Sequence, residues 1–180
     1  MEELYLRRSV RSYLNKPVER DKLISVIKAG TCAPSAMNNE NRQFTAVINK
    51  DVLNTLCQAV WDLSDQSFKN RILARTNGNK GFFYNAPVLI IVSTDPNGFC
   101  PAADCAVALE NMFLKATELG LATCWINQLV SICDQPEIRR ALSLAGVPDS
   151  HKVYGACALG YSDVTPKKIT EKNNKIVVCD

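Results

Sequence analysis

Residues 102–119 read Ala-Ala-Asp-Cys-Ala-Val-Ala-Leu-Glu-Asn-Met-Phe-Leu-Lys-Ala-Thr-Glu-Leu, and their periodicity decides the fold class. Cys105, Leu109, Met112, Ala116 and Leu119 repeat at helical spacing, and Ala106, Ala108 and Phe113 widen the apolar surface beyond one stripe. Asp104, Asn111, Lys115 and Glu118 leave only a narrow polar strip, and Gly120 stops the helix. A helix apolar over most of its circumference must bury one face in its own core and a second elsewhere. In a chain of 180 residues that second cover is expected to be another subunit, with Met112 or Phe113 touching it.

Strands flank this helix. Val88-Leu89-Ile90-Ile91-Val92 is almost continuously apolar, so both its faces should be buried. Phe44–Ile48, Thr123–Ile126 and Val153–Tyr161 read as further strands. Helices are expected over Arg20–Ala29 with Gly30 as stop, from an Asp51 cap through Val60, and from Pro136 towards Leu144. Helices and strands mix without a regular βαβ repeat, which favours an α+β fold. After residue 162 the chain turns polar and basic, then regains strand character at Ile176-Val177-Val178. Such a tail is a candidate for pairing with a neighbour's sheet edge.

Composition narrows the function. Apolar residues make up 47% and charged residues 22%, the mixture of one soluble globular domain. No apolar stretch is long enough to span a bilayer, and the first residues lack the order of a signal peptide, so a cytoplasmic protein without membrane partners is expected. Lys plus Arg number 21 against 18 Asp plus Glu, a surplus too small to require a nucleic-acid partner. The eight cysteines form no Cys-x-x-Cys, and His151 stands without a second ligand nearby, so no metal site is indicated and most thiols read as small buried hydrophobes. A catalytic triad could use only His151, and the Walker, Gly-x-Ser-x-Gly and Gly-x-Gly-x-x-Gly signatures are missing. No catalytic residue is assigned, and an enzyme so poor in acid–base groups needs a cofactor to carry its chemistry.

Two segments could hold one. Arg7-Arg8-Ser9-Val10-Arg11 places Arg7 and Arg11 on one side if the segment is helical, a set suited to a phosphate or to a solvated basic turn. Lys167, Lys168, Lys172 and Lys175 form a second basic cluster that could meet the same anion. Ala33-Pro34-Ser35-Ala36-Met37-Asn38-Asn39 offers backbone and amide donors to the edge of a heteroaromatic ring, or simply connects a helix to a strand.

Taken together, the segments resemble the FMN-dependent nitroreductase family. The resemblance rests on five motifs in the family's order: 7–13, 33–39, Asn85-Ala-Pro-Val-Leu-Ile-Ile91, 118–126 and Gly155-Ala-Cys-Ala-Leu-Gly-Tyr161. It implies a nitroreductase-type fold over 1–180, a mostly antiparallel sheet of four internal strands flanked by helices. It further implies a strand-swapped homodimer in which residues 162–180 reach the partner. Two FMN sites would each draw on both subunits. By similarity, Arg7, Arg8, Ser9 and Arg11 hold the phosphate and a flavin edge, and Pro34, Ser35, Ala36 and Asn38 reach the same FMN from the other chain. The backbone around Cys124, Trp125 and Ile126 would lie along the ring, and Lys167 or Lys168 would meet the phosphate. The implied activity is ping-pong electron transfer from NAD(P)H to an electron-poor acceptor such as a nitroaromatic or quinone. A flavin-binding protein without general reductase turnover is the alternative. One motif departs from the family, since Asn38-Asn39-Glu40-Asn41-Arg42 stands where members usually continue Asn-x-Gln-Pro-Trp. Glu40 must then turn outward or pair with Arg42 or another base, because an unpaired charge in a closed site is costly.

Overall fold

Residues 88–94 send successive side chains into two different cores, and the rest of the molecule is arranged around them. The computed structural model of the protein describes residues 2–164 and 174–179. In chain order the elements are α1 (Glu3–Leu6), α2 (Arg20–Thr31), β1 (Gln43–Val47), α3 (Lys50–Leu63), α4 (Gln66–Arg75), β2 (Val88–Thr94), α5 (Pro101–Glu118), β3 (Ala122–Ile126), α6 (Pro136–Ala145) and β4 (Lys152–Gly160). The strands form one antiparallel sheet in the order β1-β2-β4-β3.

All seven residues of β2 are buried. Val88, Ile90 and Val92 face the layer of α2 and α5, joining Leu23, Val26, Leu109 and Met112. Leu89 and Ile91 face the layer of α3, α4 and α6, joining Leu56, Ile72, Ile138 and Leu142. A strand with helices on both faces loses the polar alternation of a half-exposed strand, which is why its sequence is continuously apolar. None of the helices among the described residues is long and apolar enough to cross a membrane.

Three local expectations need correction. The segment 7–13 is not helical: Arg7 already has φ −55° and ψ 129°, and Ser9 pairs with Thr123 in a parallel bridge. The cap of α3 is Asn49, not Asp51, because the Asn49 side chain accepts from the Asp51 and Val52 N–H groups at 2.9 and 3.2 Å. Gly30 does not stop α2 but lies inside it, where a Cβ would come within 2.9 Å of both Met112 Cγ and Phe44 Cε1. Close approach of α2 to α5 and β1 requires that missing side chain. Gly30→Ala is therefore expected to cost about 1–3 kcal/mol by overpacking. Denaturant unfolding reads this directly, and an unchanged midpoint with an unchanged slope would contradict the close contact.

The outward face of α5 also differs from expectation. Met112 and Phe113 are buried within this chain. Exposed apolar surface on this helix lies instead at Ala102, Ala103 and Val107. The thiols largely follow the hydrophobe reading. Cys105, Cys124, Cys133 and Cys157 are buried, and Cys32 and Cys179 are exposed. Burial pushes the Cys57 and Cys105 thiols up to about 12, so neither is a ready nucleophile at neutral pH.

Candidate functional site

The basic N-terminal segment is held against the edge of the sheet by its backbone. The Val10 N–H donates to the Thr123 carbonyl at 2.8 Å, and the Leu14 N–H donates to Tyr161 at 2.8 Å. The mostly buried Tyr13 hydroxyl donates to the carbonyls of Val10 (2.9 Å) and Ala158 (3.3 Å), and burial raises its pKa above the ordinary phenol value. Val10 is buried, and Ser9 and Arg11 on either side of it are exposed. The two outer arginines part here: Arg7 turns to α5 on one face of the sheet, and Arg11 lies over Tyr84, which belongs to the core on the other face.

The charges in this cluster do not cancel. Arg7 Nε lies 3.3 Å from Glu110 Oε1 on α5. Arg8 Nη1 donates to the carbonyls of Tyr5 (2.8 Å) and Arg7 (2.6 Å), and Arg11 lies over the Tyr84 ring with its guanidinium carbon 5.8 Å from the centre. Neither Arg8 nor Arg11 joins an ion pair among the described residues. Of these three guanidiniums only Arg7 is paired with a carboxylate among the described residues, leaving two positive charges without an ion-pair partner at a half-exposed edge. That excess matches a phosphate monoester dianion.

Beside this segment, β3 alternates. Cys124 and Ile126 are buried towards the α3–α6 core, so only their backbone could border a ligand. Trp125 is 40% exposed, with its ring 5.9 Å from that of Phe113.

The loop after α2 is tied to the first turn of α5. The Ala36 N–H donates to Asp104 Oδ1 at 2.9 Å, and the Glu40 N–H donates to Ser35 Oγ at 3.2 Å. Met37 and Asn38 adopt left-handed backbone, with φ of 55° and 54°. Asn38 and Pro34 are exposed, and Ser35 and Ala36 half-buried. Glu40 is exposed and does not pair with Arg42, whose guanidinium is occupied by the Ala33, Pro34 and Asp104 carbonyls. Of the geometries open to Glu40, pairing with Arg42 is thereby excluded.

Within one chain these two halves do not share a partner surface. Arg7 meets α5 at Glu110 and Ala36 meets it at Asp104. Six helical residues separate those contacts by about 9 Å along the axis and about 120° around it. Lys167 and Lys168, the other expected phosphate contacts, lie outside the described residues. A cavity of about 960 Å³ opens elsewhere, where Lys16, Arg20, Leu23, Ile48, Lys50 and Phe83 border it, and it includes none of the expected FMN contacts. His151 Nδ1 is 3.3 Å from Ser93 Oγ, a local bond to a fully buried hydroxyl.

The family model that matches residues 4–161 is that of the nitroreductase family. The chain belongs to the nitroreductase family. Among its structural relatives is a nitroreductase with bound FMN from Bacteroides fragilis, 40% identical, covering 99% of this chain and 97% of that one at a TM-score of 0.87. A protein of Archaeoglobus fulgidus, provisionally named an NADH dehydrogenase/NAD(P)H nitroreductase, is 28% identical over 88% of this chain and 82% of its own. Rat iodotyrosine deiodinase 1 is 29% identical over 89% of this chain and 61% of its own. Relatives of this nitroreductase-family chain thus carry the names of nitroreductases and of a deiodinase.

Glu110, Asp104 and Tyr84 were not among the residues read as site components. Glu110 and Asp104 are single acids on an apolar helix, and only their contacts with distant segments give them meaning. No sequence signal marks Tyr84 as the surface beneath Arg11.

Proposed function

We propose that this protein is an FMN-dependent oxidoreductase that takes electrons from NAD(P)H and passes them to an electron-poor small molecule such as a nitroaromatic or quinone. The observation that carries the reading is the only partly compensated set of guanidiniums, Arg7, Arg8 and Arg11, along the edge of β3, in a chain of this family. Bound there, FMN would accept hydride from the nicotinamide and hand electrons on to the acceptor. The chain's own residues bind and orient. Arg7, Arg8, Ser9 and Arg11 would hold the phosphate, joined by Lys167 or Lys168. The backbone of Cys124, Trp125 and Ile126 would border the ring. Pro34, Ser35, Ala36 and Asn38 would close the site from a second copy, since in one chain Ala36 is tied to a different face of α5 from the one that Arg7 meets.

A homodimer with two shared sites fits the remaining surface. The outer edge of β3 carries the Ser9 bridge, whereas among the described residues β1 has a neighbour on one side only. Ile176, Val177 and Val178 are 87%, 73% and 78% exposed, an apolar run that pairing with the partner's β1 would cover. In this reading residues 1–180 form a single FMN-binding domain, with 162–180 a C-terminal arm that reaches the partner subunit.

Steady-state oxidation of NADH and of NADPH by the flavin-loaded protein, with a quinone and then a nitroaromatic acceptor, tests the activity. Turnover with either acceptor supports it. Glu40 and Arg42, which replace the usual neutral amide and tryptophan, favour a second reading: a flavin-binding protein without general turnover. Tight FMN binding without acceptor-dependent oxidation would select that one. A protein that binds no FMN would contradict both.

A further inference from the structure

Arg42 occupies the position where the family motif usually carries tryptophan, yet its side chain is spent on the backbone. Nη1 donates to the carbonyls of Pro34 (3.0 Å) and Asp104 (2.9 Å), and Nη2 donates to Ala33 (2.8 Å). Nε is buried without a hydrogen-bond partner among the described residues. No carboxylate side chain among the described residues accepts from this guanidinium, so what it supplies is geometry: one planar fork fastened to three carbonyls on two segments.

We propose that Arg42 is a positioning residue that clamps the 33–38 loop to the first turn of α5 and presets the face offered to the flavin. This rests on the FMN reading above. The clamp has two jaws. Arg42, next to the first residue of β1, grips the carbonyls of residues 33, 34 and 104. Asp104 returns the grip through its side chain, accepting the Ala36 N–H at 2.9 Å. Between these ties, Met37 and Asn38 hold left-handed conformations, one that Asn adopts readily and Met seldom does. Ser35 Oγ braces the far end by accepting the Glu40 N–H at 3.2 Å. Pro34, Ser35, Ala36 and Asn38, the residues assigned to FMN, all lie within this clamped stretch. A loop set before the ligand arrives does not lose its freedom on binding, so the clamp acts as preorganisation. A lysine offers a compact ammonium without the rigid planar fork and would do the task only in part.

The test compares Arg42→Met, Arg42→Lys and Leu142→Ala with the unmodified protein. Leu142 lies fully buried in the core on the opposite face of the sheet, so its variant reports general destabilisation. Two quantities are read: the FMN dissociation constant, and in the flavin-free protein the rate of cleavage after Glu40 by a glutamate-specific protease. Arg42→Met is expected to bind FMN about tenfold or more weakly and to be cut faster, with Arg42→Lys in between. Leu142→Ala should lower the thermal midpoint while keeping both quantities near those of the unmodified protein. Equal FMN affinity and equal cleavage in Arg42→Met would overturn the proposal. So would a Leu142→Ala variant that loses as much FMN affinity at a matched midpoint. Should Arg42→Met not fold, Arg42→Lys decides by the same two readings. If the unmodified protein binds no FMN, the functional reading falls, and the clamp stands or falls on the cleavage rates alone.

Discussion

Arg7→Ala is expected to weaken FMN binding by about ten- to a hundredfold, from the roughly 1.5–3 kcal/mol that a hydrogen bond to a charged group contributes. Two losses combine in this variant. A donor to the phosphate disappears, and the Glu110 carboxylate, 3.3 Å from Arg7 Nε, is left facing the anion uncompensated. The excess charge of the cluster falls from two to one. Glu110→Gln removes the opposing charge and should leave binding unchanged or tighter, by a modest factor because the pair is solvent-screened. Combining the two substitutions should recover part of the loss, and titration of FMN fluorescence in the three variants reads all of it. Raising the salt concentration should narrow every difference. Binding by Arg7→Ala equal to that of the unmodified protein would remove the cluster from the site.

Val107→Asp is expected to abolish the proposed dimer at micromolar concentration. Val107 is 41% exposed on the outward face of α5, beside the exposed Ala103. The core already encloses Met112 and Phe113, so Val107 and Ala103 are the exposed apolar surface that α5 would offer a second copy. A carboxylate placed in such an apolar contact costs several kcal/mol after relaxation, enough to outweigh a typical contact patch. Because each site would draw on both chains, flavin should be lost together with the dimer. Sedimentation of the variant should show single chains of 19.9 kDa without flavin. A variant that sediments as a flavin-loaded pair would contradict this placement of the interface, and a flavin-loaded single chain would contradict shared sites.

Elements with a strong apolar period are legible in the sequence itself. The 105-109-112-116 spacing predicts α5, and the unbroken run at 88–92 predicts a strand covered on both faces. Where few apolar residues are buried the signal fades. α4 buries Ile72 alone, and nothing in Gln66–Arg75 separates it from a solvated loop. Gly30 shows another limit: a glycine at the end of a helical pattern reads as a stop, but here it marks the approach of a second helix 82 positions away at Met112. The site divides in the same manner. Its basic residues and small-residue loop are visible as motifs, because phosphate and flavin edges call for particular donors. Arg42 was not visible as a clamp, since its partners are backbone carbonyls and one of them lies 62 residues away. Backbone acceptors carry no sequence signature. Glu110 is hidden likewise, a lone acid until the N-terminal segment folds onto it.

The claim that each FMN site is built from two chains is tested most directly by subunit complementation. One tagged chain carries Arg7→Ala, and a second, differently tagged, carries Asn38→Asp, which sets a carboxylate on the loop expected to meet the flavin. Each variant alone should bind FMN weakly. In the heterodimer purified through both tags, shared sites would gather both defects into one site and leave the other intact, so titration should show one tight site per pair of chains. Only weak sites in that heterodimer would mean that each chain builds its site alone.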